Sequence, residues 1–420
     1  MRVLMLSWEY PPRLVGGLGR HVHEISRALV AQSVDVRVVT AAAPGAPSRE
    51  QLDRGWRVYR SAGPELQAPD FLIDIEQLNF GLLEAAIPLA AEADVVHAHD
   101  WLVAFAARTL TRAFNLPLVA TIHATEYGRN GGLHTDLQRY IHSTEWMLGY
   151  EAGRVIVCSD FMRREVERVL TLPADKVRVI GNGIDPGRLA LTPAARRRLG
   201  EFRAKLAAPD EQVVLFVGRM VREKGIETLL EAAPRVLAAH PATRFVLVGG
   251  PEADWLQARA AALGLGGAAR FTGFVPEADL AAYYACASVA VFPSHYEPFG
   301  IVALEAMAAG VPVVTSDAGG LASVVEHEVT GLTTYAGNAE SLAWGINLAL
   351  GDRKAALARA RRAAARVAER YTWQQIAKLT TAVYHEAIGL RDEKGGSPDE
   401  SGGNGGRRRK PAPPPDLQSP

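Results

Sequence analysis

The sequence predicts an α/β protein with two doubly wound domains of parallel sheet. Three observations carry that expectation. First, short apolar runs alternate with stretches of helical period, the signature of a parallel sheet covered by helices. Second, the series occurs twice: RVLML, DVRVVT, DVVHAH, LPLVATIH, GRVIVC and KVRVIG, then VVLFVG, RFVLVG, ARFTG, SVAVFP and VPVVTS. Third, the chain has 420 residues, too many for one ordinary core and suited to two or three domains.

RVLML reads as a buried parallel strand because it is apolar without alternation. A Pro-Pro and Gly-rich turn follows, then a helix-period stretch from Leu18 to Val30 and a second strand at Asp35–Thr40. The pattern pauses in NGIDPGRL and in the charged helical stretch AARRRLGEFRAKL, then resumes. No short internal repeat is present, which excludes a solenoid. The last predicted helix begins at Trp373, in YTWQQIAKLTTAVYHEAI. From about Arg391 the chain turns to Gly, Ser, Pro and charges, with nothing apolar to bury, and is expected to be disordered. Its RRRK at 407–410 reads as part of a solvated tail. The expected domains are 1–187 and 188–372, with helix 373–390 packing back on the first and 391–420 as tail.

Lys plus Arg and Asp plus Glu both number 46, a balance that argues against a nucleic-acid or membrane-surface role. Cys158 and Cys286 lie in or beside apolar runs and read as buried thiols, with no disulfide framework or zinc knuckle. VLML is too short for a signal-peptide core, and no apolar run approaches membrane-helix length. The expected location is therefore the cytoplasm.

Four segments carry chemistry. In HYEPFGIVALEAMAAGVPVVTSDAGG, a strand precedes Glu297, Gly300 opens a helix to about Ala309, and a strand follows. A helix N-terminus presents unpaired N–H groups and a positive dipole end to a phosphate. Glu305, inside the helix, suits ribose hydroxyls, and Glu297, before it, can face a sugar; the plain alternative is two solvated glutamates. In VGRMVREKG (Val217–Gly225), Arg219 and Lys224 follow a strand end, where ligands of open α/β sheets bind, and suit a diphosphate. Alone, such cations are usually surface charges. GGLG (Gly16–Gly19) is a strand–turn–helix glycine loop, able to offer N–H groups to a phosphate or simply to supply a flexible turn. It matches neither the dinucleotide nor the P-loop pattern. HAHDW (His97–Trp101) and TIHATEYGR (Thr121–Arg129) end two predicted strands. His97 and His99 share a strand face. A metal pair there lacks a further ligand at suitable spacing, so His97 reads as a core histidine. His123 and Asp100 suit a hydroxyl-rich ligand.

With these segments in order, residues 1–390 resemble the retaining glycosyltransferases of the GT-B fold, two Rossmann-like domains facing across a cleft, similar to bacterial glycogen synthases. SWEYPPRLVGGLGRHVHEIS, HAHDWLVA and TIHATEYGR are most similar to actinobacterial α-1,4-glucosyltransferases of glycogen and methylglucose-polysaccharide synthesis. The resemblance implies that Gly16 and Gly17 sit against a donor diphosphate, which Arg219 and Lys224 bind and stabilise as it leaves. It implies that Glu297 and His123 contact the transferred sugar. The Phe299–Val302 backbone (Phe299, Gly300, Ile301 and Val302) would lie near sugar and phosphate, Glu305 on the ribose and Val275 by the base. Asp100 and Glu126 would lie on the acceptor side. It further implies catalysis without a metal or added cofactor, with ADP- or UDP-glucose as donor and an α-1,4-glucan as acceptor. The alternatives are a lipid-linked or cell-surface glycan acceptor, mannose as the sugar, a phosphorylase or epimerase on the same fold, and a non-catalytic sugar-nucleotide-binding protein.

Overall fold

The computed structural model describes residues 1–61, 70–250 and 254–395. Two compact units divide the chain, one of Met1–Gly183 with Trp373 onward, the other of Ile184–Thr372. The boundary thus falls at Gly183, ahead of the expected 187.

The first unit holds eight strands: β1 (Arg2–Ser7), β2 (Asp35–Thr40), β3 (Arg49–Asp53), β4 (Trp56–Arg60), β5 (Val95–His99), β6 (Leu118–Ile122), β7 (Arg154–Val157) and β8 (Val177–Val179). Their order is β3-β4-β2-β1-β5-β6-β7-β8, parallel throughout except that β3 runs antiparallel to β4. The chain winds outward from β1 through β2, then crosses to β5 on the other side. The carboxyl ends of β1 and β5 therefore flank a topological switch point, where open α/β sheets place ligands.

The helix Gly17–Ala31 lays Val22, Ile25 and Leu29 on one face against the core formed with Val3, Met5, Val36 and Val38. The final helix, Trp373–Gly395, contributes Trp373, Ile376, Ala377, Tyr384 and Ala387 to the same core. Gly183 is needed there, since a Cβ would come 2.5 Å from the Trp373 ring. Arg154 and Arg178 both pair with Glu386, at 2.6 and 2.7 Å, tying β7 and β8 to that helix. The helix continues to Gly395, five residues beyond its expected end at 390. The predicted tail beyond it, with RRRK at 407–410, lies outside the described residues.

The second unit holds β9 (Gln212–Val217), β10 (Thr243–Val248), β11 (Ala269–Phe271), β12 (Val289–Phe292), β13 (Val313–Ser316) and β14 (Leu332–Thr334), in the parallel order β11-β10-β9-β12-β13-β14. Its switch point lies between β9 and β12. Its core gathers Val214, Phe216, Leu229, Leu230, Val289 and Val291 from strands and helices. The charged stretch after Asn182 forms two short helices, Pro193–Arg197 and Leu199–Ala204, separated at Arg198. Cys158 and Cys286 are both buried, and no disulfide forms among the described residues. Among the described residues no helix is long and apolar enough to cross a membrane.

Candidate active site

In the second unit, the loops leaving β9 and β12 are stitched together. Glu223 O accepts from His295 N at 2.8 Å and from Tyr296 N at 3.3 Å. Gly225 turns the chain at φ +65°, and its missing Cβ would lie 1.9 Å from Pro293 O. This close approach brings Lys224 to Glu297: Nζ donates to Oε2 at 2.8 Å, with side chains only 17% and 11% exposed. One of the three lysine N–H donors is thereby used, leaving two for an anion. Arg219, half exposed, donates to Glu223 at 2.6 Å. Arg222 instead stacks over Trp255, 5.8 Å from the ring centre.

Gly300, at φ +102°, caps the helix Ile301–Ala308. The first N–H groups of that helix, at Ile301 and Val302, have no acceptor within it. Gly319 and Gly320 close over the preceding loop: Gly320 N donates to Glu297 O at 2.7 Å. A Cβ on Gly319 would lie 2.2 Å from Glu297 O. Glu305 is buried on the same helix, and the Tyr284 hydroxyl donates to its Oε2 at 3.1 Å. Val275 is half-buried beside the exposed Phe274.

In the first unit, the glycine loop is organised by Glu9, which is buried. Its carboxylate accepts from Val15 N at 2.5 Å and from Gly16 N and Gly19 N at 3.0 Å each. Gly16 was expected to offer its N–H to a phosphate; Glu9 already takes it. Gly17 and Leu18, the first residues of the helix, keep N–H groups without an intrahelical acceptor. Glu9, ten residues from Gly19, carries no signal in the sequence because its contacts depend on how the loop folds back.

Beside it, β5 and β6 deliver the His-Asp cluster. Asp100 is buried with φ +60°, a backbone conformation unusual for a non-glycine residue. Its Oδ1 accepts from His123 N at 2.7 Å. His99 Nδ1 and His123 Nε2 lie 3.2 Å apart. His97 is fully engaged, with the Tyr384 hydroxyl at 2.8 Å and Thr121 Oγ1 at 2.7 Å. Glu126 N donates to Glu145 Oε1 at 2.8 Å, while the Glu126 carboxylate accepts from Asn130 at 2.9 Å. His21 and Glu145 were not anticipated: His21 follows the glycine loop on the helix Gly17–Ala31 without being singled out, and Glu145 sits on the helix Asp136–Glu151, whose sequence carries no motif.

Burial governs the electrostatics here. It lowers the His21 and His123 rings to about 3, helped at His21 by His123 and at His123 by Arg129. His97 and His99 are also held neutral by burial. Burial raises Asp100 to about 6, against the pull of Arg129, and raises Glu145 well above the ordinary carboxyl range. The histidines titrate near 6.5 when unfolded, so the stability they contribute is present above that pH and lost as pH falls toward 3. Asp100 has the opposite sign: protonation below about 6 relieves the cost of a buried charge. Glu145, also raised, acts in the same sense as Asp100, but five histidines, His142 included, are lowered against these two carboxyls, so the histidine effect dominates. The unfolding temperature is therefore expected to fall steadily as pH drops from 6.5 to 3, measured by circular dichroism. A flat profile down to pH 4 would contradict this assignment of neutral, buried rings.

Thus the segments after β9 and β12 carry Arg219, Lys224, Glu297, Phe299, Gly300, Ile301, Val302 and Glu305, while in the first unit Gly16 and Gly17 follow β1, Asp100 follows β5, and His123 and Glu126 follow β6. Residues 15–188 match the family described as Glycosyltransferase Family 4, and residues 200–367 match the Glycosyl transferases group 1. A glycogen synthase of Mycobacterium tuberculosis is 39% identical, over 91% of this chain and 94% of its own. An uncharacterized glycosyltransferase of Methanocaldococcus jannaschii is 38% identical, over 93% of this chain and 99% of its own. Among solved structures, sucrose-phosphate synthase from Thermosynechococcus elongatus has a TM-score of 0.80 at 27% identity, covering 93% of this chain and 99% of that one.

Proposed function

The chain belongs to the GT-B glycosyltransferases of group 1 and family 4, and from that premise we propose that it transfers glucose from ADP- or UDP-glucose to an α-1,4-glucan with retention of configuration. The observation that carries this reading is the Lys224–Glu297 pair, 2.8 Å apart at adjoining strand ends and beside the N-terminus of the helix Ile301–Ala308. A cation and helix N–H groups suit the diphosphate, and the carboxylate suits the sugar. The likeness to glycogen synthase supports glucose and glucan.

In the reaction, the anomeric C–O bond breaks and its electrons leave with the nucleoside diphosphate. Lys224 and Arg219 stabilise the charge that grows on the departing oxygens. The acceptor hydroxyl attacks the face being vacated, and its proton passes to the leaving phosphate. His123 and Glu297 orient the sugar, Glu305 the ribose, Val275 borders the base, and Asp100 and Glu126 serve the acceptor. No metal or cofactor is required, because side-chain cations supply the positive charge.

The test is release of ADP or UDP from each glucose donor, with and without glycogen. Glycogen-dependent release that EDTA leaves undiminished is expected. Release abolished by EDTA and restored by magnesium would overturn metal independence, and donor binding without release would favour a non-catalytic binding protein. One observation favours a lipid-linked acceptor as second reading: Phe80 and Ile87, seven positions apart on one face of the helix Phe71–Ala90, are 71% and 49% exposed. Release with a lipid-linked acceptor but not with glycogen would select it.

A further inference from the structure

We propose that His21, His99 and His123 form a binding site for one divalent transition-metal ion of the zinc and cobalt class. One ring nitrogen from each of the three lies within 4.8 Å of the others. His99 Nδ1 and His123 Nε2 are already 3.2 Å apart. Two nitrogens on one tetrahedral ion, each bonded at about 2.0–2.1 Å, are separated by about 3.3 Å. That pair therefore has the spacing of one ligand edge before any ion arrives.

The third ligand is prepared by its partner. Asn182 Oδ1 lies 2.7 Å from His21 Nδ1 and accepts its N–H, which leaves Nε2 with the lone pair. Metal-binding histidines commonly donate their far N–H to an oxygen in this way, fixing tautomer and ring orientation. His97, the residue sharing a strand face with His99, is not a ligand, since both its nitrogens are engaged by Tyr384 and Thr121. The further ligands that the sequence did not reveal beside His99 come from a helix and from the end of β6. Three imidazoles without a carboxylate favour zinc, cobalt or nickel over magnesium and calcium. His21 and His99 are buried and His123 is partly buried, the least enclosed of the three ligands.

His123 is also the residue assigned above to the transferred sugar. The ion is therefore an inhibitor rather than a catalyst, excluding the donor while it is bound. This competition rests on the proposed function; the metal site itself does not.

The test is titration of the metal-stripped full chain with cobalt(II), followed by visible absorption and equilibrium stoichiometry. Saturation at one ion per chain, with the intense bands of a tetrahedral site, is expected. His123→Ala should abolish the bands. Asn182→Ala, which removes the acceptor behind His21, should weaken affinity by about tenfold to a hundredfold. The exposed His385→Ala should leave binding unchanged. Absence of saturable bands in the unmodified chain, or bands that persist in a folded His123→Ala, overturns the site. Zinc should inhibit transfer and EDTA should reverse it. A saturated site with an undiminished transfer rate would retain the ion and overturn the contact of His123 with sugar.

Discussion

Lys224→Ala is expected to lower kcat by on the order of a hundredfold or more, the typical cost of removing one preorganised group that stabilises charge in the transition state. The loss should fall on kcat more than on donor affinity, because the charge it meets grows as the bond breaks. The side chain is 17% exposed at a loop mouth, so truncation opens no core cavity. Lys224 also neutralises Glu297, and its removal leaves a largely buried carboxylate without its cation. Glu297→Gln separates the two effects. If the lysine acted only by pairing, the single variants would fall equally and the double variant no further. If it stabilises the leaving group, Lys224→Ala falls further than Glu297→Gln. Arg219→Ala should also reduce kcat, less than additively with Lys224→Ala if both serve one diphosphate. Arg222→Ala should do little, since that guanidinium is engaged over Trp255. Unchanged kcat/KM for Lys224→Ala with both ADP- and UDP-glucose would remove the clamp from the mechanism.

The strands at the centre of each sheet are legible in the sequence because parallel strands covered on both faces are apolar without alternation: VVHAH is buried at every position. The edge is not. REQLD is exposed at four of its five positions and half-buried at the other, so β3 leaves no apolar trace. The short β14 leaves little more, having only three residues. The site divides in the same way. Lys224, Glu297 and His123 stand in the loops that leave strand ends, where topology alone suggests ligands, and Glu305 in the helix that follows one of those loops. Their partners are set by the third dimension. Glu9 grips a loop up to ten residues away, and Asn182 reaches His21 across 161 positions. His21 itself lies in GRHVHEIS, where helical periodicity presents it as one more residue on a helix face.

Gly225→Ala carries the second large effect, on stability and activity together. A left-handed backbone costs an alanine about 1–2 kcal/mol through its own Cβ. At Gly225, with φ +65°, there is a further obstacle: that Cβ would meet Pro293 O at 1.9 Å and Pro293 C at 2.8 Å. Backbone atoms cannot yield as a flexible side chain would, so the loops after β9 and β12 must separate. Those loops carry Lys224 and Glu297, and the bonds from His295 N and Tyr296 N to Glu223 O would stretch with them. Gly264 supplies the control, with φ +73° and no atom within 4 Å of where an alanine methyl would stand. Gly264→Ala should show the conformational cost alone and keep full activity. Gly225→Ala should melt at a clearly lower temperature and lose most transfer activity even where it remains folded. Equal shifts in unfolding temperature for the two variants, with activity retained in both, would show that the approach of Gly225 to Pro293 does not hold the clamp in place.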